Sequence, residues 1–173
     1  GTWDVADLVH YALDEGHDFV ALTDHNTVSG LPALATIAAG EIIPVRGMEL
    51  TTYYGHALVL GSDAWWDWRT PTGSEPAIAE TCRRVVQSGA LFVIAHPKIP
   101  GDPSCTGCDW RYDDTAPGDA PAVEVWNKGW APFNEEGLRL AYSWLNQGHS
   151  LTLTAGSDIH HDPRPDGEEG GAA

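Results

Sequence analysis

Short apolar runs alternate with segments of helical period along almost the whole chain, and this alternation limits the fold more than any other feature. Residues 4–15 set Val5, Leu8, Val9, Ala12 and Leu13 on one helical stripe, with Asp4 and Asp7 in the first turn and Gly16 as the stop. "FVALT" at 19–23 reads as a strand, and Ser29 with Pro32 opens a second helical segment that Gly40 closes. Residues 42–50 read as a strand interrupted by Gly47, and residues 53–60 as its candidate hairpin partner. Residues 74–88 form a helix with a Ser74 cap, Pro76 in the first turn and Ile78, Cys82, Val85 and Val86 on one face. Residues 91–95 and 122–126 are strands, Asn134 caps a helix through Gln147, and residues 151–155 are the last apolar run. Strand and helix in alternation imply parallel strands covered by helices, in an open sheet or a barrel, and an α/β barrel is the fold expected.

The chain has 173 residues, 42% of them apolar, which suits one domain, here residues 1–165. Residues 98–121 lack any period and form a lid or insertion loop, and residues 166–173 are an acidic, Gly-rich tail. The net charge of −16 repels nucleic-acid phosphates, so no nucleic-acid partner is expected. No apolar stretch approaches the roughly 18 residues of a membrane span, so no membrane partner is expected either. The cytoplasm is the favoured compartment; because residue 1 is Gly, a start further upstream is expected and export stays open, as does the oligomeric state. Three cysteines are too few for a disulfide framework or a four-thiolate zinc site. Cys105 and Cys108, spaced C-x-x-C, can form a local disulfide, hold a metal with outside ligands, or do nothing chemical.

In parallel α/β folds the chemistry gathers at the carboxyl ends of the strands. The residues placed directly after the apolar runs here repeat one chemistry: Asp24 and His25 after "FVALT", Glu49 after "IIPVRGM", His56 after "YYG", His96 after "LFVIA", and Asp158 with His160 after "LTLTAGS". Imidazole nitrogens and carboxylate oxygens are the usual ligands of zinc, manganese and iron, and carboxylates bridge two ions. Singly, each has an ordinary structural explanation; together they point to a shared, multinuclear metal site. His10, His17 and His149 lie away from that edge and read as surface residues.

"LTDHN", "GMELTT" with "GHALVLG", "AHPK", "VEVWN" and "GSDIHH", in this order, resemble the PHP (polymerase and histidinol phosphatase) metal-dependent phosphoesterase domain, and within it the CehA/McbA-like branch that includes carbaryl hydrolases. The resemblance implies a distorted seven-stranded β/α barrel with two or three divalent ions (Zn, Mn or Fe). It implies Glu49 as the bridging carboxylate, His56 and His96 as further ligands of one ion, Asp158 as a ligand of a second, and His25 with His160 as ligands of a third. Asp24 is then a residue that orients or hydrogen-bonds near His25 rather than a ligand. The family opens with a strand bearing His-x-His and a Ser-Asp-Gly stretch, whereas this chain begins at Gly1-Thr2-Trp3. The expectation is therefore a barrel truncated at both ends and incomplete because its opening strand is missing.

The function expected is hydrolysis of a small phosphoester, with metal-activated water attacking phosphorus. Lys98, directly after His96-Pro97, is the candidate to neutralise phosphate charge, Lys128 and Arg69 are weaker ones, and His161 is a candidate acid or base. Trp65, Trp66 and Trp68 either line a substrate pocket or, as the favoured reading, pack across the barrel mouth. Two alternatives stand beside this: a carbamate or carboxylic ester hydrolase of the same branch, and a non-catalytic metal-binding domain that lacks the first ligand motif.

Overall fold

The computed structural model describes residues 3–69, 78–112 and 120–162. The Ser74 cap, Pro76 and the tail at 166–173 lie outside the described residues, as does the 113–119 part of the expected lid.

Helix α1 (Val5–Asp14) begins on a capping box in which Asp4 and Asp7 each accept the other's backbone N–H, at 3.0 Å. Strand β1 (Phe19–Leu22) follows, then α2 (Leu31–Ile37), β2 (Ile43–Thr51) and β3 (His56–Leu60). After these come α3 (Ile78–Gln87), β4 (Leu91–Ala95), β5 (Ala122–Asn127), α4 (Pro132–Asn146) and β6 (Thr152–Gly156). The strands lie side by side in chain order in one curled, half-barrel sheet of six. The pairs β1/β2, β4/β5 and β5/β6 are parallel, while β3 runs antiparallel to both β2 and β4.

The general expectation of parallel strands thus fails at β3, where the reading of residues 53–60 as a hairpin partner holds instead, for a local reason. Only a tight turn at residues 52–55 separates it from β2, far shorter than the dozen or more residues a parallel crossover requires. Reversal has a consequence for the site, because it brings the first residue of β3, His56, to the edge where its neighbours end: His56 pairs with Thr51 and with Ala95.

Two helix starts also differ from expectation. Helix α2 is preceded by Gly30 rather than capped by Ser29, whose backbone N–H instead bonds the Thr27 hydroxyl. Helix α4 starts at Pro132, so Asn134 lies inside it. Its side chain is buried and accepts from the Asn127 backbone while donating to the carbonyls of Asn127 and Gly129, which ties α4 to the end of β5.

Two apolar clusters fill the interior. Val9, Ala12, Val20, Leu22, Leu31, Leu34, Ala38 and Ile42 join α1 and α2 to β1. The larger cluster joins β2, β3, β4 and α3 through Met48, Leu50, Val59, Cys82, Val85, Phe92 and Ile94, and Trp66 and Trp68 pack against it, as the packing reading of the tryptophans expects. In β4 the successive residues Phe92, Val93 and Ile94 are all fully buried, the mark of a strand covered on both faces.

Phe92→Ala is predicted to cost about 3–5 kcal/mol, because a large ring leaves a cavity the sheet cannot close. Leu91→Ala, one residue away but 37% exposed, should cost far less. Urea unfolding of both variants measures the difference.

Candidate functional site

The imidazoles and carboxylates that stand after the apolar runs meet at one edge of the sheet. The Glu49 carboxylate is 5% exposed and faces three imidazoles: His56 Nδ1 at 2.8 Å and His96 Nε2 at 3.2 Å from Oε1, and His25 Nδ1 at 3.5 Å from Oε2. On the far side of His25, its Nε2 lies 3.4 Å from His160 Nε2. Asp158 stands beside His160, with Oδ1 3.5 Å from its Nδ1.

Backbone carbonyls decide which ring nitrogens carry protons. The Thr106 carbonyl can only accept, so His56 Nε2–H donates to it at 3.0 Å and Nδ1 is left facing Glu49. A bare nitrogen 2.8 Å from a carboxylate oxygen would be repulsive. Either a proton on Nδ1 or a cation must lie there. The same logic applies to His160, whose Nδ1–H donates to the Asp158 carbonyl at 2.9 Å, leaving Nε2 bare toward His25. An imidazole with one N–H held by a carbonyl and the other nitrogen turned into a shared space is the usual posture of a metal-binding histidine. His96 adds a further sign, since its buried Nδ1 has no hydrogen-bond partner among the described residues.

Two donor sets are close enough to hold an ion. The donor atoms of His25, Glu49 and His56 lie within 4.8 Å of one another, and so do those of His56, His96 and Cys108. The nitrogen and oxygen donors suit borderline divalent ions such as zinc, and the Cys108 sulfur of the second set is engaged in a disulfide with Cys105.

Burial alone would raise the Glu49 carboxyl, but hydrogen bonds from His56 and His96 and the charges of His25 and His96 outweigh it and hold the group well below the usual carboxylate range. Burial pushes the His96 imidazolium down, and is outweighed in turn by the hydrogen bond to Glu49 and the charges of Glu49, Glu124 and Asp158, which raise it.

Several supporting residues have no role assigned from sequence. Asn26 grips Thr51 with both ends of its amide, at 2.9 Å each, and its backbone N–H bonds the Glu49 carbonyl. Thr51 Oγ1 in turn meets His25 Nδ1 at 2.5 Å. Glu124, buried in β5, accepts the His96 backbone N–H at 2.8 Å, and its carboxyl is raised by burial against the opposing pull of His96. A Cβ at Gly156 would meet the Glu124 carboxylate, which would have to shift to admit it. The only sequence signal for Glu124 is its place in "VEVWN"; for Asn26 it is its place directly after His25.

The remaining candidates take these positions. Asp24 is exposed, and its backbone carbonyl accepts the Glu49 N–H at 3.1 Å. Lys98 faces Asp109 at 3.9 Å, Lys128 faces Asp158 at 3.2 Å, and Arg69 is paired with Asp67 at 2.8 Å. His161 is exposed. Cys105 and Cys108 form a disulfide, one of the three states left open for them. Trp65 is half exposed and donates from Nε1 to the Asn26 carbonyl at 3.0 Å.

No protein-family model matches the chain, and no curated protein matches it. Several solved structures share its fold. One, a proposed metal-dependent phosphoesterase from Bifidobacterium adolescentis, superposes with a TM-score of 0.67 at 18% identity, covering 97% of this chain and 87% of that one. Another, an amidohydrolase from Chromobacterium violaceum solved with bound sulfate and no metal, has a TM-score of 0.60 at 16% identity and covers 92% and 83%.

The Glu49–His96 pairing predicts a pH dependence for the metal-free protein. Glu49 is depressed, so its contribution is full above its ordinary 4.5 and is lost as pH falls. His96 is raised, so its contribution is full below its ordinary 6.5 and is lost as pH rises through the elevated value. These are two limbs of one interaction. Thermal midpoints should peak between these values, and Glu49→Gln should flatten both limbs of the profile.

Proposed function

We propose that this chain is a metal-dependent hydrolase of small phosphoesters, built on a PHP-like version of the distorted seven-stranded β/α barrel. The observation that carries the reading is Glu49, a buried carboxylate ringed by imidazoles from three strand ends, with His56 Nδ1, His96 Nε2 and His25 Nδ1 turned toward it. The fold likeness to a proposed metal-dependent phosphoesterase supports the same chemistry.

In this reading His56, His96, Glu49, His25, His160 and Asp158 hold two or three divalent ions, with Glu49 as the bridge. Such ions, when bound, acidify a water and polarise the ester. The chain's own residues do the rest. Thr106 and the Asp158 carbonyl lock the tautomers of His56 and His160, and Thr51 orients His25. Glu124 fixes the backbone of His96, and Lys98 and His161 are the proposed charge-neutralising and proton-transfer groups. Residues 98–121 form the proposed lid, and Asp24 braces the Glu49 strand through its carbonyl.

A second reading has its own support. Lys98, Lys128 and Arg69 each already face a carboxylate, and one structural neighbour is an amidohydrolase. Both observations favour a carbamate or carboxylic ester, which carries less negative charge than a phosphate monoester.

Side-by-side assays on an aryl phosphate and an aryl carbamate, with protein stripped by chelator and then reloaded, separate the readings. Phosphate release that appears only after reloading is expected, and His96→Ala should lower kcat/KM by roughly a hundredfold or more. Equal rates from stripped and reloaded protein would count against any metal-dependent hydrolysis.

A further inference from the structure

The sulfur pair sits closer to the imidazoles than a purely structural disulfide requires. Cys108 is buried, and its Sγ lies 4.0 Å from His56 Nδ1, the nitrogen turned away from the Thr106 carbonyl and toward Glu49. Its sulfur and the donor nitrogens of His56 and His96 lie within 4.8 Å of one another, and all three residues are buried. A tetrahedral ion with sulfur at about 2.3 Å and nitrogen at about 2.0–2.1 Å holds the two donors about 3.6 Å apart, so the 4.0 Å between Cys108 Sγ and His56 Nδ1 is within a few tenths of an ångström of coordination.

We propose that Cys105 and Cys108 form a thiol switch that decides whether Cys108 joins His56 and His96 around a divalent ion. The idea rests on the metal reading above and adds a redox-dependent ligand to it. In the disulfide, Cys108 offers no thiolate, and an ion finds the nitrogen and oxygen donors of His25, Glu49 and His56. Once reduced, Cys108 supplies a soft, anionic donor, which shifts the site's preference toward zinc and away from manganese.

Access favours one direction of attack. Cys105 is partly exposed whereas Cys108 is buried, so a low-molecular-mass thiol reaches the Cys105 sulfur. Attack there forms a mixed disulfide on Cys105 and releases Cys108 as the leaving thiolate. A second thiol then frees Cys105. One protein disulfide and two small thiols become two protein cysteines and one small disulfide.

The loop that carries the pair is seated independently of the sulfur bond. Gly107 has φ 77°, and any side chain there would meet the Thr52 carbonyl, so the loop lies directly on the β2–β3 turn. Trp110, 7% exposed, packs into the larger core cluster just beyond it. Reduction therefore frees Cys108 without releasing the loop, and Thr106 keeps its hold on His56.

Cobalt(II) titrated into the protein, with thiol content measured beforehand, tests the switch. Reduced protein should bind cobalt with an intense near-ultraviolet sulfur-to-cobalt band, and Cys108 should become protected from a thiol reagent. Oxidised protein should bind cobalt without that band. Cys105→Ser should show the band with no reductant present, and Cys108→Ser should bind cobalt but never show it. Cobalt binding by reduced wild-type protein with no sulfur band overturns the switch and leaves the metal reading standing. No cobalt binding in either state overturns both.

Discussion

A buried carboxylate is tolerable only where positive charge or hydrogen-bond donors meet it, and Glu49 sets that demand for the whole sheet edge. Its two oxygens are shared among imidazoles from three different strand ends: after β1, at the start of β3 and after β4. The register of β2 against both neighbours must therefore hold. A slip of one residue would turn Glu49 to the opposite face and leave His56 and His96 facing apolar side chains. The reversed direction of β3 belongs to the same demand. A parallel β3 would deliver its last residue, Leu60, to this edge and carry His56 to the other end of the sheet.

The edge is also where the backbone is strained. Among the described residues, the non-glycine positions with positive φ are Asn26, His96, Lys128 and Asp158. They come after β1, β4, β5 and β6, so every one lies at the carboxyl end of a parallel strand. Such conformations cost of order 1–3 kcal/mol each and persist only where the surroundings over-determine them. Here they do: Asn26 is held through Glu49 and Thr51, His96 by Glu124, and Lys128 by its bond to the Gly156 carbonyl and its ion pair with Asp158. Stability won in the two apolar clusters is thus spent at one edge, the pattern of a site rather than of an ordinary loop surface.

Much of this is legible in the sequence, and the boundary has physical reasons. Strand–helix alternation reports apolar faces directly, so the strand positions can be read from it, and the gathering of His25, Glu49, His56, His96, Asp158 and His160 from their places at the ends of apolar runs. Strand direction is written in connection length rather than in periodicity, which is why β3 is legible only as a candidate hairpin partner. Asn134 looks like a cap because Asn caps helices, yet the fixed φ of Pro132 has already started the helix two residues earlier. Glu124 occupies a position in a strand that alternation leaves ambiguous, and its partner is a backbone N–H from another strand, which no side-chain pattern records. The tautomer of His56 depends on the Thr106 carbonyl, and a carbonyl belongs to every residue alike.

Electrostatics then narrows what the site can accept under the proposed chemistry. The chain carries a net charge of −16, and the cations named near the edge are each turned toward an aspartate. Asp158, and Glu124 besides, lie close enough to act on His96. A dianionic ester approaching this edge meets a field that imidazoles alone do not offset, and screening by salt is weak where the groups are buried. Positive charge inside the cluster is therefore a condition for holding phosphate at all, whereas a neutral carbamate faces no such barrier. The same acids that make the edge attractive to divalent ions make it unattractive to an anionic substrate until those ions are in place, which ties substrate choice to occupancy of the donor set around Glu49.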